Sequence, residues 1–164
     1  MRLSKQQRDF EYLELAKTES HGSRCISRQL GCILVLRNGM TISGTNGPPL
    51  PLKKCKTCLK TDHGYEYAWQ CKAVHAERQT LLKCARRGYS TIHSTLYAVM
   101  GMPCKDCLLE LIAAGVARIV VTQATVYDPL SQEIMDEWVS SGGIFDIIDI
   151  GHNDTHIDFR KGEQ

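Results

Sequence analysis

The chain has 164 residues and a formal net charge of +2, a length suited to one compact domain with a sizeable core and too short for much of a second. The modest charge gives no case for a strongly nucleic-acid-binding surface, no apolar run nears membrane-spanning length, and the polar, charged N-terminus has no secretory pattern. Eight cysteines without such a signal read as reduced thiols, several of them on metal, in a cytoplasmic protein.

In chain order, Ser4 and Gln7 form a capping box that opens a helix. Phe10, Leu13, Ala16 and Lys17 follow helical spacing, and His21-Gly22 ends it. Leu30 to Leu36 is an apolar run of strand length. Arg37-Asn38-Gly39 reads as a hairpin turn, and Met40 to Thr45 returns as the second strand. The segment 46–73 opens on Asn46-Gly47-Pro48-Pro49-Leu50-Pro51, which can neither continue a ladder nor start a helix. Its remainder is polar, contains cysteine and has no period, so it reads as a long loop that needs a function or an anchor. Val74 to Arg87 is helical and stops at Gly88. Thr95 to Met100 is a strand. Pro103 suits the first turn of a helix that runs to Ala114. Ala117 to Thr122 is a strand, Ser131 to Ser140 a helix, and Ile144 to Ile150 the last strand. From about His152 the tail is polar and expected to be loose. Strands alternating with helices in the second half imply parallel neighbours, hence an α/β fold with a mixed five-stranded sheet sandwiched by helices in a single domain, 1–164.

Two pieces carry chemistry: His75-Ala76-Glu77 and Pro103-Cys104-Lys105-Asp106-Cys107. One histidine and two cysteines give zinc three ligands and leave the fourth position for water, the arrangement of a catalytic site. Cysteines at i and i+3 share one helix face near its N-terminus, where unpaired N–H groups favour thiolate. Glu77 lies beside the metal ligand without being one. Zinc lowers the pKa of a bound water to about 7, and a neighbouring carboxylate can take its proton and pass it to a ring nitrogen and a leaving amine. Alone, Cys-x-x-Cys is most often half a structural zinc site or a redox pair, and His-x-Glu signifies nothing. In this order, each at the start of a predicted helix, the two resemble the signature of zinc-dependent base deaminases.

The likeness extends from about Ser23 to Asp128. Ser23-Arg24-Cys25-Ile26-Ser27-Arg28-Gln29-Leu30-Gly31, Gly44-Thr45-Asn46-Gly47-Pro48-Pro49, Cys71-Lys72-Ala73-Val74-His75-Ala76-Glu77 and Tyr127-Asp128 resemble segments of deoxycytidylate (dCMP) deaminases. The chain departs from that pattern at Thr45, at Arg78-Gln79 and at Met102. The resemblance implies a cytidine deaminase-like three-layer α/β/α sandwich and hydrolysis of dCMP to dUMP. It implies that Asn46 hydrogen-bonds the sugar, that backbone around Ala76 and Cys104 holds the pyrimidine, that Tyr127 lines the nucleotide pocket, and that Arg28 either contacts the phosphate or has a surface or allosteric role. It further implies a homo-oligomer, often a hexamer, with dCTP and dTTP as effectors. Alternatives within this reading are a 5-substituted dCMP or dCTP as substrate. Polynucleotide is disfavoured by the low aromatic content and the absence of a Ser-Trp-Ser-Pro-Cys segment. A non-catalytic zinc module has no need of Glu77.

Cys32 and Cys84 read as buried apolar residues, and Trp69 and Trp138 as packing groups. That leaves Cys25, Cys55, Cys58 and Cys71. Four thiolates complete the closed tetrahedral set of a structural zinc, and the resemblance to dCMP deaminases includes these positions. His63 could replace one thiolate, and free thiols in a mobile loop are the alternative.

Overall fold

The computed structural model describes residues 3–126 and 128–151. Helix α1 spans Lys5–Ser20, and both halves of the Ser4/Gln7 capping box are formed. Its inward stripe is Asp9, Leu13, Ala16 and Ser20, whereas Phe10 is exposed. The apolar spacing therefore pointed to the wrong neighbour. Asp9 is drawn inward by charge: its carboxylate accepts from Arg118 at 2.7 and 2.8 Å and from the Tyr97 hydroxyl at 2.7 Å.

Strands β1 (Gly31–Val35) and β2 (Thr41–Thr45) form the expected antiparallel hairpin. The segment that follows is not uniformly loop. It contains a short helix, α2 (Leu59–Asp62), and a 3-10 turn over Tyr65–Gln70. Then come α3 (Ala76–Arg87), β3 (Thr95–Ala98), α4 (Lys105–Ala113), β4 (Arg118–Val121), α5 (Pro129–Ser140) and β5 (Ile144–Ile147). Pro103 lies outside α4: Cys104 is extended, with φ −64° and ψ 161°, and serves as the N-cap. Asp128 caps α5 by accepting from the Ser131 N–H at 2.8 Å, with Pro129 in the first turn.

The sheet has the order β2-β1-β3-β4-β5. β1 is antiparallel to both β2 and β3, while β3, β4 and β5 run parallel. Residues alternate between faces along each strand. Ile33, Tyr97, Val99 and Val120 meet Leu13 and Ala16 of α1 on one face. Cys32, Leu34, Leu96, Ala98, Ile119 and Val121 meet the layer of α3, α4 and α5 on the other. Cys32 and Cys84 are buried as expected, and Trp138 packs against this second cluster. Trp69 is 81% exposed, so it is not a packing group of this chain. Two glycines permit the close layering: a Cβ on Gly31 would lie 2.1 Å from the Ala16 carbonyl oxygen, and one on Gly44 would lie 2.3 Å from that of Ala76. The second approach sets the start of α3 against β2. Tyr127 and the tail from His152 lie outside the described residues.

Candidate active site

Three ligand-bearing residues converge because two helices begin side by side. His75 is the N-cap of α3, Cys104 is the N-cap of α4, and Cys107 lies in the first turn of α4. His75 Nδ1 is 3.4 Å from Cys104 Sγ and 3.3 Å from Cys107 Sγ. All three ligand atoms lie within 4.8 Å of one another, the one such cluster among the described residues. A tetrahedral zinc with N and S bonds of about 2.0 and about 2.3 Å places those atoms about 3.6 Å apart. The donor set and its spacing therefore fit zinc with only a small outward adjustment.

The electrostatics also prepare metal ligands. The Cys104 thiol is pulled down to about 4, first by a hydrogen bond from Cys107 and then by His75, against the effect of burial. Cys107 is pushed up, because it donates to Cys104 and is itself buried. His75 is raised, chiefly by its hydrogen bond with Cys104. Without metal, these groups share protons that a cation would displace.

Glu77 occupies the first turn of α3 and is 3% exposed. Burial raises its carboxyl above the ordinary value, and the His75 charge only partly opposes this. Its Oε2 has no hydrogen-bond partner among the described residues. An unpartnered buried carboxylate oxygen is costly, and here Glu77 lines the same pocket as His75 and Cys104. Such a placement suits a group that exchanges protons with a bound molecule.

Arg28 and Asn46 also line this pocket. The Asn46 side chain has a second task. Its Oδ1 accepts from the Ser23 hydroxyl at 2.7 Å and the Leu30 N–H at 2.9 Å, and its Nδ2 donates to the Arg28 carbonyl at 2.8 Å. Asn46 thus folds the segment that carries Arg28, and these bonds use one of its two Nδ2 hydrogens. Ala76 is fully buried at the first position of α3. Of the divergent positions, Met102 lines the pocket, whereas Arg78 turns away from it. Arg78 makes a bidentate pair with Glu110 at 2.7 and 2.6 Å, tying α3 to α4.

Sequence reasoning missed Lys60, Met100, Gly101 and Thr125, which also line the pocket. A Cβ on Gly101 would lie 2.4 Å from the Thr125 carbonyl oxygen, and that oxygen accepts from the Met102 N–H at 2.8 Å. These contacts join two loops far apart in sequence and left no local signal. Lys60 did leave one: it lies two residues beyond Cys58, in the segment read as structureless.

Cys25, Cys55, Cys58 and Cys71 all line a second cavity, of about 240 Å³, next to the first. The Ser27 hydroxyl is 3.4 Å from Cys25 Sγ. Burial raises the thiols of Cys25 and Cys58, but Ser27 and nearby N–H groups outweigh it and bring both below the ordinary value. No three of these sulfurs close to the 4.8 Å spacing of the first cluster. His63 does not line the cavity; its ring lies 5.7 Å from that of Tyr67.

Comparison with known proteins agrees with this geometry. Residues 6–123 match the family described as "Cytidine and deoxycytidylate deaminase zinc-binding region". The chain is 32% identical over 120 residues to the deoxycytidylate deaminase of Mycobacterium phage D29, a match covering 68% of this chain and 91% of the phage protein. It is 27% identical over 130 residues to the deoxycytidylate deaminase of Saccharomyces cerevisiae, covering 77% of this chain but 41% of the yeast protein, so the chain spans less than half the length of that relative. The crystal structure of dCMP deaminase from cyanophage S-TIM5 in complex with dCMP and dUMP superposes with a TM-score of 0.70 at 21% identity, covering 89% of this chain and 100% of that one. The fold is thus cytidine deaminase-like, and the chain belongs to the cytidine and deoxycytidylate deaminase zinc-binding family.

Proposed function

We propose that this chain is a zinc-dependent hydrolase that converts dCMP and water to dUMP and ammonia. The observation that carries the reading is the buried, unpartnered Glu77 carboxylate oxygen beside the His75, Cys104 and Cys107 cluster. A zinc ion on those three side chains supplies the Lewis acidity that makes water nucleophilic near neutral pH. Glu77 takes the proton from the attacking water and delivers it to ring nitrogen 3. Glu77 then takes the proton of the new hydroxyl at carbon 4 and gives it to the exocyclic amino group, so that the carbon–nitrogen bond breaks, the carbonyl of dUMP forms and ammonia leaves. The elevated carboxyl of Glu77 suits a group that must both accept and return a proton. Backbone at Ala76 and Cys104 flanks the pyrimidine, the remaining Asn46 N–H faces the sugar, and Arg28 faces the phosphate. The family resemblance supports Tyr127 as a further wall of the nucleotide pocket.

The names of the similar proteins and the Arg28 cation favour dCMP over a free nucleoside. The second cavity favours a structural zinc held by Cys25, Cys55, Cys58 and Cys71. The cation would draw the four sulfurs together and join the 46–73 segment to the start of α3. No helix among the described residues is long and apolar enough to cross a membrane. A cytoplasmic homo-oligomer, a hexamer with dCTP and dTTP as effectors, is the form we propose from the family resemblance.

Ammonia release from a panel of cytosine nucleosides, monophosphates, triphosphates and oligonucleotides tests the assignment. dCMP is expected to be the best substrate. Preference for 5-methyl-dCMP or dCTP would move the assignment within the family. Equal use of deoxycytidine would end the nucleotide reading.

A further inference from the structure

Lys60 stands on α2, two residues after Cys58, and lines both the catalytic pocket and the cysteine cavity. It is half-buried, and no hydrogen bond or ion pair among the described residues holds its ammonium. A partly desolvated ammonium without an acidic partner is unfavourable unless a ligand supplies the negative charge. Among the described residues the pocket is lined by Glu77, by His75 and Cys104 of the metal cluster, by the Cys25 thiol, and by two cations, Lys60 and Arg28. The two come from separate segments, one before β1 and one inside the 46–73 segment. Two cations from different segments, lining the pocket that also holds Glu77, His75 and Cys104, suit a dianionic phosphate.

We propose that Lys60 is a specificity-determining residue that binds the 5′-phosphate of the substrate, and that the fold of the cysteine-rich segment puts it there. The inference rests on the nucleotide reading above and deepens it. The position of Lys60 beside Cys58 gives the second cysteine cluster a catalytic consequence. An ordered cluster holds the phosphate-binding ammonium in the pocket lining, and a loosened one lets it swing away.

The test compares zinc-loaded wild type with Lys60→Met, which keeps the aliphatic stem, and Lys60→Arg, which keeps the charge. For Lys60→Met the KM for dCMP should rise about 10- to 100-fold, the range expected for one lost charge-assisted hydrogen bond, while kcat stays within about twofold. Its kcat/KM for deoxycytidine and its zinc content should equal those of wild type. Lys60→Arg should recover most of the dCMP affinity. Binding of dUMP, measured by calorimetry, should weaken in parallel with the dCMP KM in Lys60→Met, whereas deoxyuridine binding should not. An unchanged KM for dCMP, or an equal loss on dCMP and deoxycytidine, would overturn the role of Lys60 while leaving the dCMP assignment intact. A wild-type enzyme that does not prefer dCMP to deoxycytidine would remove the assignment itself, and the Lys60 role with it.

Discussion

The two thiol clusters of this protein are neighbours, yet they are built differently. His75, Cys104 and Cys107 stand at the starts of two helices that pack on the same face of the sheet, and their ligand atoms converge within 4.8 Å. Cys25, Cys55, Cys58 and Cys71 face a common cavity from loops and short turns, without closing to that spacing. Regular secondary structure pre-organises the first set, so little folding energy is needed when metal arrives. The second set lacks that support, and a metal bound at this proposed site would contribute to ordering the chain itself. Catalysis requires a ligand cage that is fixed before the substrate comes, whereas a structural site can be completed by its metal.

The comparison can be broken most sharply at Glu77. Glu77→Gln preserves shape and hydrogen-bonding reach but removes the proton carrier. Turnover should fall about 10²- to 10⁴-fold while the zinc at His75, Cys104 and Cys107 stays bound. Ammonia release together with metal analysis checks this; retention of a tenth of wild-type turnover would refute the proton role.

Removal of the fold's buried ion pair should leave both clusters loaded and act on stability alone. Arg118 is 8% exposed and binds Asp9, 3% exposed, through two nitrogens. Arg118→Met leaves a buried carboxylate unpaired, which should cost about 3–5 kcal/mol at pH 7. The pH dependence gives the sign. In the wild type, burial raises the Asp9 carboxyl, but hydrogen bonds from Arg118 and Tyr97 and the Arg118 charge bring it below its ordinary 3.8. Its contribution is therefore present above that value and lost as pH falls through the lower folded value. In Arg118→Met burial, the largest influence, is opposed only by the Tyr97 hydrogen bond and the weaker Lys5 charge, so the folded value should lie above the unfolded one. The deficit should then shrink as pH falls toward 4. Urea denaturation at the two pH values reads the difference, and an equal deficit at both would contradict the ion-pair account.

The smallest expected change sharpens the comparison between the clusters. A Cys55→Ser, Cys58→Ser double variant should hold one zinc per chain where wild type holds two, melt a few degrees lower, and keep its catalytic zinc. A weak chelator applied to wild type should likewise remove the metal of the loop-built site first. One zinc in fully loaded wild type would eliminate the second site.

Much of this was legible in the sequence because the relevant signals are local. The Ser4/Gln7 box, the Asn38-Gly39 turn and the alternation of strand and helix each fit within a few residues. The His-x-Glu and Cys-x-x-Cys spacings identified a metal-binding triplet for the same reason: helix starts dictate where those side chains point. The failures share a non-local cause. The inward turn of Asp9 depends on Arg118, which lies far along the chain, so hydropathy favoured Phe10. The internal bonds of Asn46 depend on Ser23 and Leu30, which a motif does not display. The turns within 46–73 have no apolar period, because little of that segment is buried. Lys60 was passed over for that reason, although its position beside Cys58 was plain in the sequence.

The central claim is hydrolytic deamination of dCMP by this site, and a single turnover in water enriched in oxygen-18 tests it most directly. The account predicts dUMP carrying one labelled oxygen at carbon 4, with ammonia released in equal amount. Zinc-loaded protein that binds dCMP but releases no ammonia, or forms dUMP without the label, would contradict it.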